Sequence, residues 1–504
     1  MCILSVDLGT TSIKTAIIEE NGNILGKSIK EYTLLTPSAL EVELSVDTYW
    51  EAFKIALKEL LVKTKVNVKN VKALGISVQG ETLILVDEKG IPINNAIIWL
   101  DNRAQEEAKI LSNEFSDQLA YKITGQVKIV PTWPATKILW LKRNKNEIFE
   151  KAYKFLLLED YFIFKLTGKY VAESSLLSST LYWNIKTKKW WDEMLDYLEV
   201  SEEKLPEIRE SGEIVDYILP EIAKELGVDK NMMITTGALD QAAGAIGVGN
   251  VKPGIFSENT GAALAICATV NSPFLDPQNK MPCHYHGIPD LYMAHTFTSG
   301  GMVLKWFRDK FCQAEIELSN LLEKDSYKLL DEEVKNIPPG CNGLVMLPHL
   351  EGAMAPEANS KAKGVFFGFT LHHSKPHFIR STMEAIACIV RRNIDVLENL
   401  GMKFGEVICS GGGAKSPIWN QMKADILNKK IITTKNDQDA ACLGAAIIAG
   451  KAIGLYKNVK DASEKLIKIQ NEYLPNPENR ITYDNLYKKY IMLNESLVEL
   501  FEIS

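Results

Sequence analysis

The sequence has no CxxC pair, no apolar run approaching the ~18 residues of a membrane span, and no excess of basic residues. Its eight cysteines, at 2, 267, 283, 312, 341, 388, 409 and 442, lie apart among mostly apolar or small neighbours. That scatter argues against a cysteine zinc site and predicts reduced, partly buried thiols. Asp7, Lys14 and Glu19 break up any signal-peptide apolar region near the N-terminus, so a cytoplasmic protein is expected. With 57 Lys plus Arg against 64 Asp plus Glu, the net charge of -7 argues against a dedicated nucleic-acid binder. What remains is a chain of 504 residues, 46% hydrophobic and free of low-complexity tracts. At roughly 100–200 residues per domain it holds two to four domains, each able to bury a core.

The opening, Ile3 to Ile18, consists of two apolar runs interrupted by Gly-Thr-Thr-Ser, and Asn21-Gly22 turns the chain into a third. This predicts an antiparallel meander. Helical stretches then alternate with runs such as Val71–Ser77, which points to an α/β fold. The glycine-dense stretch from Gly244 to Gly254 is the best candidate boundary, and Ile255 to Cys267 again reads run, Thr-Gly turn, run. Two domains, 1–247 and 248–504, with a duplicated architecture are expected.

Four stretches could carry chemistry. Asp7-Leu-Gly-Thr-Thr-Ser12 sets a carboxylate at a strand end before a turn whose N–H groups and hydroxyls can wrap an anion, a pattern that suits Mg²⁺ and phosphate and also suits an ordinary turn. Ser410-Gly-Gly-Gly-Ala-Lys-Ser-Pro417 links a strand to a helix that starts with Ser416 as N-cap and Pro417 at its first position, and three glycines let a flat ligand lie against bare backbone. Thr260-Gly261-Ala262 offers a second phosphate clamp. Asp240, among small apolar residues, is either a base for an attacking hydroxyl or a helix N-cap. Gly22 to Ser28 imitates a P-loop but has three residues between its glycines where four are needed. All seven histidines, the Trp190-Trp191 pair and the Ala/Gly-rich stretch 440–450 read as structural.

Asp7-Leu-Gly-Thr-Thr-Ser, Ser77-Val-Gln-Gly-Glu-Thr82, Ile98-Trp-Leu-Asp-Asn-Arg103, Gly237-Ala-Leu-Asp-Gln, Asn259-Thr-Gly, Ser299-Gly-Gly-Met, Leu347-Pro-His-Leu-Glu-Gly and Ser410-Gly-Gly-Gly-Ala-Lys occur in one order and spacing. From residue 3 to about 455 the chain resembles the FGGY family of carbohydrate kinases. The resemblance implies two ribonuclease H-like, actin-type ATPase domains of α/β fold with ATP and sugar meeting in an interdomain cleft. It implies Asp240 as catalytic base, with Asp7 and Asp240 beside Mg²⁺. Thr10, Thr11, Ser12 and Lys14 match the first phosphate turn and Gly261 and Ala262 the second. Gly301, Lys305, Gly412, Gly413 and Pro417 fall on the nucleotide side.

Gln79, Gly80, Glu81, Asp101, Arg103, Asp240 and Gln241 are the expected sugar contacts. Gln-Gly-Glu-Thr fits neither the Gln-Arg-Glu-Thr of glycerol kinases nor the Gln-Met-His-Gly of xylulokinases. Gly80 in place of a large side chain is expected to enlarge the pocket, and the C-terminal half looks more like xylulokinases. The expected activity is ATP-dependent phosphorylation of an open-chain ketose or polyol, xylulose-like first, with erythritol, glycerol, L-fuculose, L-ribulose and gluconate as alternatives. An actin-type ATPase acting as chaperone or scaffold is the rival of a different class. No nucleic-acid or membrane partner is expected, and family relatives leave a homodimer open.

Overall fold

The computed structural model describes residues 1–435 and 437–503. They group into two compact units. The first contains Met1–Pro253, Thr269–Met293 and Asp439–Ile467, and the second contains Gly254–Ala268, Ala294–Gln438 and Lys468–Ser504. Two segments beyond residue 248 therefore pack with the N-terminal part of the chain.

In the first unit, strands β1 (Cys2–Leu8), β2 (Ser12–Glu19) and β3 (Ile24–Glu31) form the expected antiparallel meander. Strand β4 (Val71–Val78) adds to the other edge of β1 in parallel. β5 (Ile214–Tyr217) follows in sequence, and β6 (Met233–Thr235) and β7 (Ala238–Leu239) both pair with β4 in parallel. The sheet order is β5-β6-β4-β1-β2-β3, with β7 beside β4. β1 and β4 are buried along almost their whole length, which is why they read as continuous apolar runs rather than alternating ones. The helix Val46–Thr64 buries Tyr49, Trp50, Phe53, Ala56, Leu57 and Leu60, spaced by one helical turn, and ends where Lys65 turns left-handed at φ 51°.

The Ala/Gly-rich helix Ala440–Ala452 works by close approach, as its composition predicts. A Cβ on Gly444 would lie 1.8 Å from the Ala243 carbonyl oxygen, and one on Gly75 2.3 Å from that of Ala445. Trp191 belongs to a buried cluster with Leu111, Ala135, Ile138 and Met194, and Trp190 packs against it.

The second unit repeats the plan. Strands β8 (Ile255–Thr260), β9 (Ala263–Val270), β10 (Tyr292–Ser299), β11 (Glu406–Ser410), β12 (Lys430–Thr434) and β13 (Ile469–Tyr473) run in the order β10-β9-β8-β11-β12-β13. β8 and β9 are antiparallel, β11 and β12 add in parallel, and β13 closes antiparallel. The first sheet has the same sequence of directions at β2-β1-β4-β6-β5. Each β-meander followed by parallel strands puts loops at the carboxyl ends of neighbouring strands, where α/β sheets bind ligands. All eight cysteines are buried with none in a disulfide, and no helix among the described residues is long and apolar enough to cross a membrane.

Candidate active site

Strand register assembles the first unit's site. Asp7 stands opposite Lys14 on β2 and Ser77 on β4, and Ser77 in turn stands opposite Ala238 on β7. The Ser77 hydroxyl donates to Asp7 Oδ1 at 2.8 Å. Two residues past Ala238, Asp240 is the first residue of the helix Asp240–Val248, so Leu239 occupies the N-cap position. Burial, then the charge of Asp7, push the Asp240 carboxyl up to about 7; Glu81 adds to the rise, while hydrogen bonds from the Gln241 backbone and side chain oppose it. Burial also raises Asp7, against the Ser77 hydrogen bond and the Lys14 charge. Both carboxylates keep partial access to solvent.

The turn after β1 is pinned from several sides. Gly9 N–H donates to the Ser12 carbonyl at 3.0 Å, the Tyr32 hydroxyl donates to the Gly9 carbonyl, and Trp99 Nε1 donates to Thr10 Oγ1 at 2.9 Å. Thr11 is exposed at its tip. Lys14 pairs with Asp439 at 3.5 Å, and Lys27 meets the same carboxylate at 2.8 Å.

On β4's outgoing loop, Gln79 Nε2 donates to the Tyr49 hydroxyl at 2.9 Å, while its Oε1 is buried with no hydrogen-bond partner among the described residues. That oxygen is a ready acceptor for a hydroxyl. Gly80 corrects the expectation of an enlarged pocket: a Cβ there would meet Leu239 Cδ1 at 3.1 Å and Ser179 Oγ at 3.3 Å, so neighbours already fill the space. Glu81 adopts φ 60°, a left-handed conformation costly for a side-chain-bearing residue. Burial raises its carboxyl, against a hydrogen bond from Ser179 and the charge of Lys137. Lys137, fully buried, donates to the carbonyls of Ile98 at 2.8 Å and Glu81 at 3.4 Å. Burial lowers its ammonium, with Asp101 and Glu81 opposing.

Asp101 and Arg103, expected at the sugar, are committed elsewhere. Asp101 is fully buried and accepts from Val42 N–H at 2.7 Å and from the Arg103 backbone and guanidinium. Arg103 also binds Glu43 at 2.6 Å and covers Trp140. This closed network fixes the loop that carries Trp99.

In the second unit, the turn Gly261-Ala262 joins β8 to β9, and the helix Gly301–Phe311 docks its first residues onto it. Gly301 N–H donates to the Gly261 carbonyl at 2.8 Å and Met302 N–H to that of Ala262 at 3.0 Å. The triple-glycine loop approaches the same turn. At Gly411, with φ 80°, a Cβ would lie 2.3 Å from Asn259 Oδ1, and at Gly413 2.7 Å from Thr260 Cβ. Gly412 is exposed, with nothing closer than 3.7 Å. Ser416 Oγ accepts from Trp419 N–H at 3.1 Å, capping the helix that Pro417 begins. Lys305 is 59% exposed and pairs with Asp309 at 2.5 Å one turn along its helix, so no contact holds it toward the glycine turn.

Ser179, Lys137 and Tyr49 escaped the sequence reading. Lys137 had a signal: a cation in the middle of the otherwise apolar Ala135–Leu141 face. Among the described residues no group of three or more His, Cys, Asp or Glu side chains is arranged to hold a metal.

Duplicated sheets with carboxylates at one set of strand ends and a glycine-walled turn at the other define a two-domain protein of the ribonuclease H-like, actin-type ATPase fold. The FGGY family of carbohydrate kinases matches by its N-terminal domain over residues 2–247 and by its C-terminal domain over 268–453, and the chain belongs to that family. It is 29% identical to a xylulose kinase of Bacillus subtilis over 97% of this chain and 95% of the relative. It is equally 29% identical to a gluconokinase of the same organism, over 98% and 96%. The crystal structure of a ligand-bound xylulose kinase from Lactobacillus acidophilus superposes with a TM-score of 0.91 at 28% identity, covering 100% of both chains.

Proposed function

We propose that this carbohydrate kinase transfers the γ-phosphate of ATP to a hydroxyl of an uncharged open-chain ketose or polyol, a xylulose-like pentulose first. The observation that carries this reading is the cluster of Asp7, Glu81 and Asp240, in which burial and then the charges of Asp7 and Glu81 lift the Asp240 carboxyl to about 7. A sugar acid would bring another negative charge beside these three. The buried Lys137, whose charge acts on Glu81, turns its ammonium to the Ile98 and Glu81 carbonyls instead. Relatives named for xylulose and for gluconate are equally similar, and this reading chooses between the two substrates by charge.

Asp240 accepts the proton of the attacking hydroxyl, a task favoured by a pKa near the working pH. Gln79 Oε1, Glu81 and Gln241 orient the sugar. Thr10, Thr11, Ser12 and Lys14 receive phosphate oxygens, and Gly261, Ala262, Gly301, Gly412, Gly413 and Pro417 line the nucleotide side, which assigns sugar to residues 1–247 and nucleotide to 248–504. Mg²⁺ fits the first unit: it binds through one or two carboxylates plus water and phosphate, and a cation beside Asp7 and Asp240 offsets the repulsion that raises Asp240. When bound it neutralises charge on the transferring phosphoryl group. A cytoplasmic location belongs to the same reading.

The test is ADP release with Mg-ATP across D-xylulose, L-ribulose, L-fuculose, erythritol, glycerol and gluconate, with a sugar-free blank. A neutral ketose or polyol is expected to exceed the blank by orders of magnitude while gluconate stays near it. Gluconate as best substrate overturns the charge argument, and equal hydrolysis in every well favours the ATPase rival.

A further inference from the structure

Glu258 lies inside β8 and Lys423 inside the helix Pro417–Leu427, 165 residues apart, and both side chains are fully buried. Lys423 Nζ donates to Glu258 Oε1 at 2.5 Å and to Thr260 Oγ1 at 3.1 Å, and Thr260 Oγ1 donates to Glu258 Oε2 at 2.5 Å. The three groups close a ring. Lys423 also lies over the Trp419 indole at 5.0 Å, and Glu258 holds its raised neighbour Cys409 by a side-chain hydrogen bond. Burial alone would lower the Lys423 ammonium; the Glu258 charge overrides it and keeps the lysine protonated.

A buried ion pair costs more in desolvation than an apolar pair of similar volume, so stability gives little reason to keep one here. Its location gives another. Thr260 is the last residue of β8, directly before Gly261-Ala262, and its side chain is the wall against which Gly413 packs. The ring therefore joins the β8 turn to the helix that follows the triple-glycine loop. We propose that Lys423 and Glu258 are positioning residues for the nucleotide turn, fixing Thr260 so that Gly261, Ala262 and Gly413 hold their separation before ATP arrives. This rests on the assignment of nucleotide to the second unit.

The test measures ADP binding by calorimetry, together with the KM for sugar and thermal stability, on the full-length protein. Glu258→Leu combined with Lys423→Met removes the charges as a pair, and is expected to fold, to weaken ADP about 10-fold and to leave the sugar KM unchanged. Thr260→Val, nearly isosteric, cuts the ring at one atom and is expected to weaken ADP in the same direction without the double replacement. Wild-type ADP affinity in the folded double variant, or in Thr260→Val should the double variant fail to fold, overturns the proposal. A sugar KM that rises as much as the ADP constant also overturns it, because the pair would then act on the whole chain's stability. If the wild-type protein binds no ADP, the assignment of nucleotide to this unit fails first.

Discussion

The two units share a strand order and differ in how their strand ends carry charge. At the ends of β1, β4 and β7 stand Asp7, Glu81 and Asp240, whose carboxyls are raised by burial, against a Ser77 hydrogen bond and Lys14 at Asp7, a Ser179 hydrogen bond and Lys137 at Glu81, and Gln241 hydrogen bonds at Asp240. At the ends of β8 and β11 stand glycines, and the carboxylate of Glu258, inside β8, has its buried charge closed by Lys423. A group that must take a proton near neutral pH needs its charge destabilised, whereas a surface that holds polyphosphate needs bare N–H groups and fixed backbone. On the proposed division of labour, one duplicated scaffold meets both needs by changing a few side chains at equivalent loops.

The largest break in this comparison is expected from Asp240→Asn. Removing a general base typically costs 10²–10⁴-fold, so kcat should fall about 10³-fold with sugar KM nearly unchanged and ADP binding intact. Steady-state kinetics with calorimetry on the same sample checks this, and normal turnover would end the base assignment. A smaller effect is expected from Gly411→Ala. The new Cβ meets Asn259 Oδ1 at 2.3 Å in a left-handed backbone, and strain of ~1–3 kcal/mol corresponds to about a 10-fold rise in nucleotide KM, with sugar KM unmoved. A rise in both constants would contradict the division of labour between the units.

Much of this was legible in the sequence because it is local. The β1 turn, the Ser416-Pro417 helix start and the two Thr/Gly hairpins follow from short-range turn and cap chemistry, and the structure contains them where the residues predict. What escaped is contact between distant residues. Asp101 and Arg103 look like hydroxyl ligands until Glu43 and Val42, some 60 positions upstream, are seen to engage them. Gly80 looks like vacated space until Leu239 and Ser179 fill it. Glu258 sits between Ser257 and Asn259 and Lys423 between Gln421 and Asp425, so neither stands out in the sequence, and only the fold makes them partners.

The pH dependence of kcat/KM with the preferred sugar tests the central claim most directly, because a base at Asp240, as proposed, acts in its deprotonated form. Burial still disfavours its charge while bound Mg²⁺ offsets part of the Asp7 repulsion, which predicts an acid limb that falls about tenfold per pH unit below a midpoint raised above the ordinary aspartate value of about 4 and levels off above it. Glu81→Gln removes one of the charges that raise Asp240, so in that variant the midpoint should move down. A profile flat from about pH 5 to about pH 9, or a midpoint near the ordinary aspartate value of about 4, would contradict a base tuned by Asp7 and Glu81.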